Sequence, residues 1–200
     1  VPTPSGTVLD IPNIVPYAEV SNITSSFFLI AAIAFVQPVF NCHFLVQKLA
    51  VYEYEKEYCR PVVFFISTLV SEAVFTSISA CILASIVYGL SFMGTTSGDY
   101  LFYSSVINLT ALLGTTTLLW LAAFIKSEFA VRDIYLMGIF AMCAISGFPF
   151  LLPNITDYMD DPISKLNPMR WVFETLMNWK FTMNCSDADR YLNTFGMANF

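Results

Sequence analysis

The sequence predicts an all-α integral membrane fold, a polytopic bundle of apolar helices with an amphipathic helix on its exterior. Three observations predict it. The chain is 56% hydrophobic, with 19 Phe and 10 Tyr among 200 residues, more apolar side chain than one core of this size can hide. Four apolar runs reach the roughly 20 residues that a helix needs to cross a bilayer. None of those runs alternates with period two, as the strands of a membrane barrel would.

The first span runs from about 26 to 46, "SFFLIAAIAFVQPVFNCHFLV". The second, 62–93, is overlong and carries Glu72 in its interior. The third, 101–125, has a polar, small-residue centre, "NLTALLGTTT", and the fourth, 134–152, ends in "SGFPFLL". Two short connections, "GTTSGDY" and "KSEFAVRD", force neighbouring spans to be antiparallel. The remaining connection, 47–61, holds "VYEYEKEYCRP", in which three Glu, one Lys and one Arg crowd into eleven residues.

Lys and Arg set the orientation. Lys48, Lys56, Arg60, Lys126 and Arg132 fall on one side, whereas the N-terminal 25 residues and the Gly94–Tyr100 connection have none. The loop 47–61 is therefore expected in the cytoplasm. The tail's Lys165, Arg170, Lys180 and Arg190 do not oppose this, because long segments translocate largely regardless of charge. Two glycosylation sequons, at Asn154 and Asn184, lie on the side that this places outside. Asn108 lies mid-span, and Asn22 is close to the membrane. In the exterior segment 153–200, Asn167 and Pro168 make a helix start, cap followed by first-position proline. Met169, Val172, Phe173 and Leu176 then share one face, while Arg170, Glu174 and Asn178 fall elsewhere. This predicts an amphipathic helix of about a dozen residues on the outer surface or dipping into it. The polar end, "NCSDADRYLNTFGMANF", reads as an exposed loop.

Several chemistries are excluded. A net charge of −6 without a basic cluster argues against nucleic acid. No Lys follows a Gly, so the chain has no phosphate-binding P-loop. A single histidine, His43, and no Cys/His cluster leave no recognisable metal site. No nucleophile, base and orienting acid occur at a usable spacing, and no cofactor is expected on these residues. Cys42, Cys59, Cys81 and Cys143 fall in or beside apolar runs and read as packed thiols. The opening "VPTPSG" shows no signal-peptide pattern, and the sequence reads as an excerpt from a longer protein.

Within the membrane the unusual residues are Gln37, Pro38, Asn41, His43 and Glu72. Polar groups in hydrocarbon need partners, so Gln37 and Asn41, one turn apart, face protein or water. An interhelical hydrogen bond and a place on a translocation path are both open for them. For Glu72 a neighbouring basic side chain is the favoured partner over a transport role. Pro38 and Pro149 should kink their helices and free carbonyls for other donors. "SGFPF" reads either as a plain helix end or as a hydrophobic constriction.

Together these stretches resemble the transmembrane domain of ABC transporters of the G (White and pleiotropic drug resistance) subfamily, in the type-2 exporter superfamily. The resemblance is carried by "FFLIAAIAFVQPVF", "VQKLAVYEYEKEYCRP", "STLVSEAVFTSISACILASIVYGLSF", "CAISGFPFLLPNIT" and "LNPMRWVFETLMNWKF". Lys48, Glu53, Tyr54, Tyr58 and Arg60 fill the family's charged and Tyr-rich positions, Ser71-Glu72 its Ser-Glu pair, and Ser146-Gly147 its Ser-Gly. The chain departs from the pattern at Ala73-Val74, where a Pro is usual, and at Gln47-Lys48, where Glu-Arg is usual.

The resemblance implies a partial bundle, four of an expected six spans, with the other spans and the ATPase domain outside these 200 residues. ATP and Mg would bind on that nucleotide-binding domain, in the same full-length polypeptide, and a second half-transporter would complete a homo- or heterodimer among membrane lipids. It also implies site residues. Phe35 would stack on substrate, with Ile139, Phe140 and Cys143 presented together from the facing helix. Ordinary helix packing is the alternative for all four. Phe148 and Pro149 would form the exit gate, and Cys185 would enter an exterior disulfide. Lys48, Glu53, Glu57 and Arg60 would couple the domain to the ATPase. The function so implied is ATP-driven export of lipids, sterols or amphipathic molecules by alternating access, from a plasma membrane or an endomembrane. A non-transporting, glycosylated scaffold or adhesion module is the other class considered.

Overall fold

The computed structural model describes residues 17–58, 60–91, 97–125, 127–146 and 166–184. Among them every regular element is a helix. α1 spans Tyr17–Val36 and runs through a 3-10 segment, Gln37–Asn41, into α2, Cys42–Glu55. α3 (Pro61–Ser91), α4 (Ser97–Phe124) and α5 (Glu128–Ala144) follow, and α6 occupies Pro168–Asn184. An apolar solvent leaves the backbone no partner but itself, which is why the runs are helical throughout. Their hydroxyls obey the same constraint. Ser26, Ser79, Ser85, Ser105 and Thr110 each donate to the carbonyl four residues earlier, at 2.7–2.8 Å.

The expected first span, 26–46, is not one helix. Pro38 lacks the N–H that would bond to Ala34, so the chain tightens into a 3-10 turn before resuming as α2. The connection 47–61, expected as a loop, is helical through Glu55, and only residues 56–60 stand between α2 and α3. The reason is composition: Leu, Gln, Lys, Ala and Glu are good helix formers, and no Gly or Pro interrupts them before Pro61. Pro61 then occupies the first position of α3, where its missing N–H is harmless. The turn is closed by Tyr58 N–H donating to the Glu55 carbonyl at 2.9 Å. It is clasped by Tyr52 stacked on Phe64, ring centroids 4.3 Å apart.

α3 and α4 lie where spans 62–93 and 101–125 were expected. The fourth span, expected at 134–152, differs. α5 begins at Glu128, takes in Arg132 and Asp133, and ends at Ala144 after 17 residues. Ser146 folds its hydroxyl back onto the Cys143 carbonyl. Residues 147–152 lie outside the described residues. Among the described residues three helical runs are long and apolar enough to cross a membrane, Asn22–Glu55, Pro61–Leu90 and Gly98–Phe124.

α4 is the hub, in contact with α1, α2, α3, α5, α6 and the 3-10 segment. Toward its start, Tyr103 and Ile107 pack with Phe27 and Ile30 of α1 and with Ala80 and Ala84 of α3. The two alanines let the α3 and α4 backbones approach. Toward its end, Leu118 and Leu119 pack with Phe35, Leu45, Tyr135 and Ile139. α3 otherwise buries only Thr68, Glu72 and Thr76 among the described residues: 17% of its apolar window is covered, and Val70, Ile82 and Ile86 face outward, as suits lipid contact.

α6, in the segment expected as an exterior loop 153–200, is longer than a dozen residues and packs on α1, α4 and α5. Its start follows the expected chemistry. Asn167 Oδ1 accepts the Met169 N–H at 3.0 Å, and Asn167 Nδ2 donates to the Met142 carbonyl at 2.7 Å. Met169, Phe173, Leu176 and Met177 are fully buried, and Glu174, expected off that face, is nearly so. Glu174 tolerates that position beside Arg170, 4.0 Å away at i,i+4 spacing.

Candidate functional site

The polar residues inside the bundle converge on the break between α1 and α2. A proline within a helix removes the donor to the carbonyl four residues before it, and the 3-10 turn that results alters the bonding of the carbonyl three before it. Here the Phe35 carbonyl receives a donor from a distance of 100 residues in sequence, the Tyr135 hydroxyl of α5, at 2.8 Å. The same hydroxyl lies 3.0 Å from the Gly114 carbonyl of α4. Its single proton is shared between two acceptors. The arrangement requires glycine, because a Cβ at position 114 would lie 2.9 Å from the Tyr135 oxygen and 3.0 Å from the Phe35 carbonyl.

Around this node the side chains of α2 and of the 3-10 segment reach neighbouring helices. Gln37 Nε2 donates to the Thr76 carbonyl of α3 at 3.3 Å, and the Thr76 and Thr115 hydroxyls meet at 3.2 Å. Lys48 Nζ donates to Glu72 Oε1 at 2.6 Å. The Glu72 side chain is only 7% exposed, whereas that of Lys48 is 41% exposed. A buried acid with a basic partner one helix away is what the sequence favoured. Lys48 thus joins α2 to α3 through an ion pair. On the other flank, His43 Nδ1 donates to Glu128 Oε2 at 2.7 Å while Gln47 Nε2 donates to His43 Nε2 at 2.8 Å.

Two cavities flank α2. One, about 460 Å³, lies toward α3 and is lined by Asn41, Phe44, Lys48, Glu72, Phe75, Ile78 and Ser79. The other, about 370 Å³, lies toward the end of α4, between Val46, Leu49, Ala50, Tyr52, Glu53 and Lys56 of that flank and Ala122 and Ala123. The first is amphipathic, with an ion pair and an amide beside two phenyl rings.

The expected substrate residues do not form one surface. Phe35 is 1% exposed and Ile139 is 4% exposed, both in the core beside Leu118 and Leu119. Phe140 is 74% exposed and points outward, with Cys143 half-buried. Ile139 and Phe140 are successive residues, about 100° apart around a helix, so one face cannot present both. Glu53, Glu57 and Arg60 are exposed at the end of α2 and in the turn after it. Phe148, Pro149, Asn154 and Cys185 lie outside the described residues, and Asn184 closes α6. Among the described residues no group of three His, Cys, Asp or Glu could hold a metal ion.

The family of ABC-2 type transporters matches residues 7–181, from before α1 to within α6. The chain belongs to that family. No curated protein matches it. An ABC-2 membrane domain is a transporter's membrane component, and the three spanning runs fit an integral membrane protein. Sequence reasoning missed two parts of this ABC-2 domain, Tyr135 with Gly114 and the His43–Glu128 contact. Pro38 was the available signal for the first, since it disturbs backbone bonding that a distant donor then serves. No spacing relates His43 to Glu128, because the fold alone brings them together.

Proposed function

We propose that this domain is the membrane-spanning part of an ATP-driven exporter of lipids, sterols or amphipathic small molecules, of the G subfamily and working by alternating access. The observation that carries the reading is the cavity between α2 and α3. A cargo with a polar head and an apolar body would meet Lys48, Glu72 and Asn41 at one end and Phe44, Phe75 and Ile78 at the other. Burial of Phe35 and Ile139 supports the packing alternative for them, and the exposure of Phe140 suits contact with cargo.

ATP and Mg act on the nucleotide-binding domain of the same polypeptide, and a second half-transporter, identical or different, faces this one. Glu53, Glu57 and Arg60 transmit the ATPase stroke to α2 and α3, and Phe148 with Pro149 closes the exit. The test is vanadate-sensitive efflux of a fluorescent amphiphile by the full-length transporter in vesicles. Glu72→Gln is expected to raise KM and Glu53→Lys to uncouple ATP hydrolysis from efflux. Phe148→Ala should raise or deregulate efflux. Unchanged efflux in all three variants would overturn the site assignment, and no efflux despite a correctly inserted protein would favour the scaffold class.

A further inference from the structure

From the geometry we infer that α2 is a rocking lever that pivots on Gln37–Asn41, and that Tyr135 is the positioning residue that pins its fulcrum. The inference rests on the reading of the chain as part of an ATP-driven transporter and adds the moving element to it.

Three independent features define the lever. First, the chain is weakest in backbone terms at the 3-10 segment, where Pro38 removes a donor and the hydrogen-bond ladder changes register. Second, packing differs across that segment. α1 is held by fully buried Phe27, Ile30, Ala31, Ala34 and Phe35, whereas α2 buries only Cys42 and Leu45. Third, α2 has a cavity on each flank, about 460 Å³ toward α3 and about 370 Å³ toward α4. Close-packed helices cannot move without a rearrangement of their core. A helix bordered by cavities can rock into either one.

What restrains α2 is polar and exchangeable: Lys48 with Glu72 on one side and His43 with Glu128 on the other. What holds the fulcrum is not. Tyr135 ties the Phe35 carbonyl to the Gly114 carbonyl, so α1, α4 and α5 meet at one buried hydroxyl. Gly114 brings α4 within contact of Pro38, 3.4 Å from the position of its missing Cβ. The fulcrum stays fixed while α2 and the charged turn beyond it move. Movement of the turn is thereby converted into opening or closing of the two flanking cavities, and α1 does not move with it.

Hydrogen exchange in the full-length transporter in nanodiscs, with and without ATP and vanadate, tests this. In the wild type the nucleotide-dependent change in protection is expected within residues 42–55 and absent from residues 24–36. Tyr135→Phe is expected to raise exchange over residues 36–41 at least tenfold and to let the nucleotide-dependent change spread into α1. Pro38→Ala restores a backbone N–H, so Pro38→Ala/Tyr135→Phe should return exchange over that segment to within about threefold of wild type. A simple packing role for Tyr135 would show no such rescue. Equal nucleotide-dependent changes in α1 and α2 would overturn the pivot even if Tyr135→Phe could not be prepared, as would a Tyr135→Phe profile identical to wild type. A domain that ignores nucleotide throughout would overturn the ATP-driven reading and the lever with it.

Discussion

Glu72 and Lys48 show how a charge is carried inside an apolar protein. The acid is nearly buried and one of its carboxylate oxygens meets the ammonium at 2.6 Å, so the buried charge is tolerated because of its partner. Removal of one partner should therefore cost more than removal of both. Lys48→Met, which strands the nearly buried Glu72 carboxylate, is expected to destabilise by about 1–3 kcal/mol, and Lys48→Met/Glu72→Leu by less. Thermal unfolding in nanodiscs reads the difference, and equal losses would mean that the pair is not coupled. Gly114 gives a second residue-scale prediction. Ala at this position places a methyl 2.9 Å from the Tyr135 oxygen and 3.0 Å from a backbone carbonyl. A loss of about 1–3 kcal/mol is expected. Adding Tyr135→Phe should recover only part of it, since the carbonyl cannot retreat. The Glu72 partner was legible in the sequence, because a buried acid demands one. The burial of Phe35 was not, because a large aromatic suits a cargo surface and a helix interface equally well.

At the scale of elements, helices were legible wherever local chemistry marks an end. Pro61 opens α3, and Asn167 with Pro168 opens α6, as their residue types require. Boundaries without such marks were not legible. The density of charge in "VYEYEKEYCRP" resembles a loop, yet Glu, Lys and Leu also favour helix, and the chain stays helical through Glu55. In α5 the apolar run from Ile134 concealed a start at Glu128. The α6 cap allows a graded test. Asn167→Asp keeps the oxygen that accepts the Met169 N–H but loses the donor to the Met142 carbonyl, whereas Asn167→Ala loses both. Each contact is worth about 1 kcal/mol. The expected order of melting temperature is wild type, then Asp, then Ala, and an Asp variant as unstable as Ala would deny the cap any role.

At the scale of the whole molecule, antiparallel helices place the α2–α3 turn at one end and the start of α4 at the other. The excess of Lys and Arg at the first end predicts that it is the cytoplasmic one. A membrane-impermeant maleimide added to intact cells should therefore label Gly98→Cys and spare Glu57→Cys, in a background where the native cysteines are replaced. Labelling of Glu57→Cys from outside would invert the assignment. The all-helical membrane class comes from sums over many residues, so a single sequence carries it; the fourth expected span did not follow, because α5 ends at Ala144 after 17 residues. The meeting of Tyr135, Gly114 and Phe35 depends on three helices docking at one depth, and no sum over composition contains that.

The length of α3 has a consequence for the membrane itself. Its apolar run, Pro61–Leu90, spans 30 residues, about 45 Å of helix against a hydrocarbon thickness of about 30 Å. Even a tilt of about 40°, the steepest commonly seen, still leaves about 34 Å to accommodate. The surrounding bilayer must thicken around α3, or the helix must carry apolar side chains into the headgroups. Such hydrophobic mismatch sorts proteins toward thick, sterol-rich membranes and makes activity sensitive to acyl-chain length. The length of α3 thus predicts transport whose rate depends on the acyl-chain length of the bilayer around it.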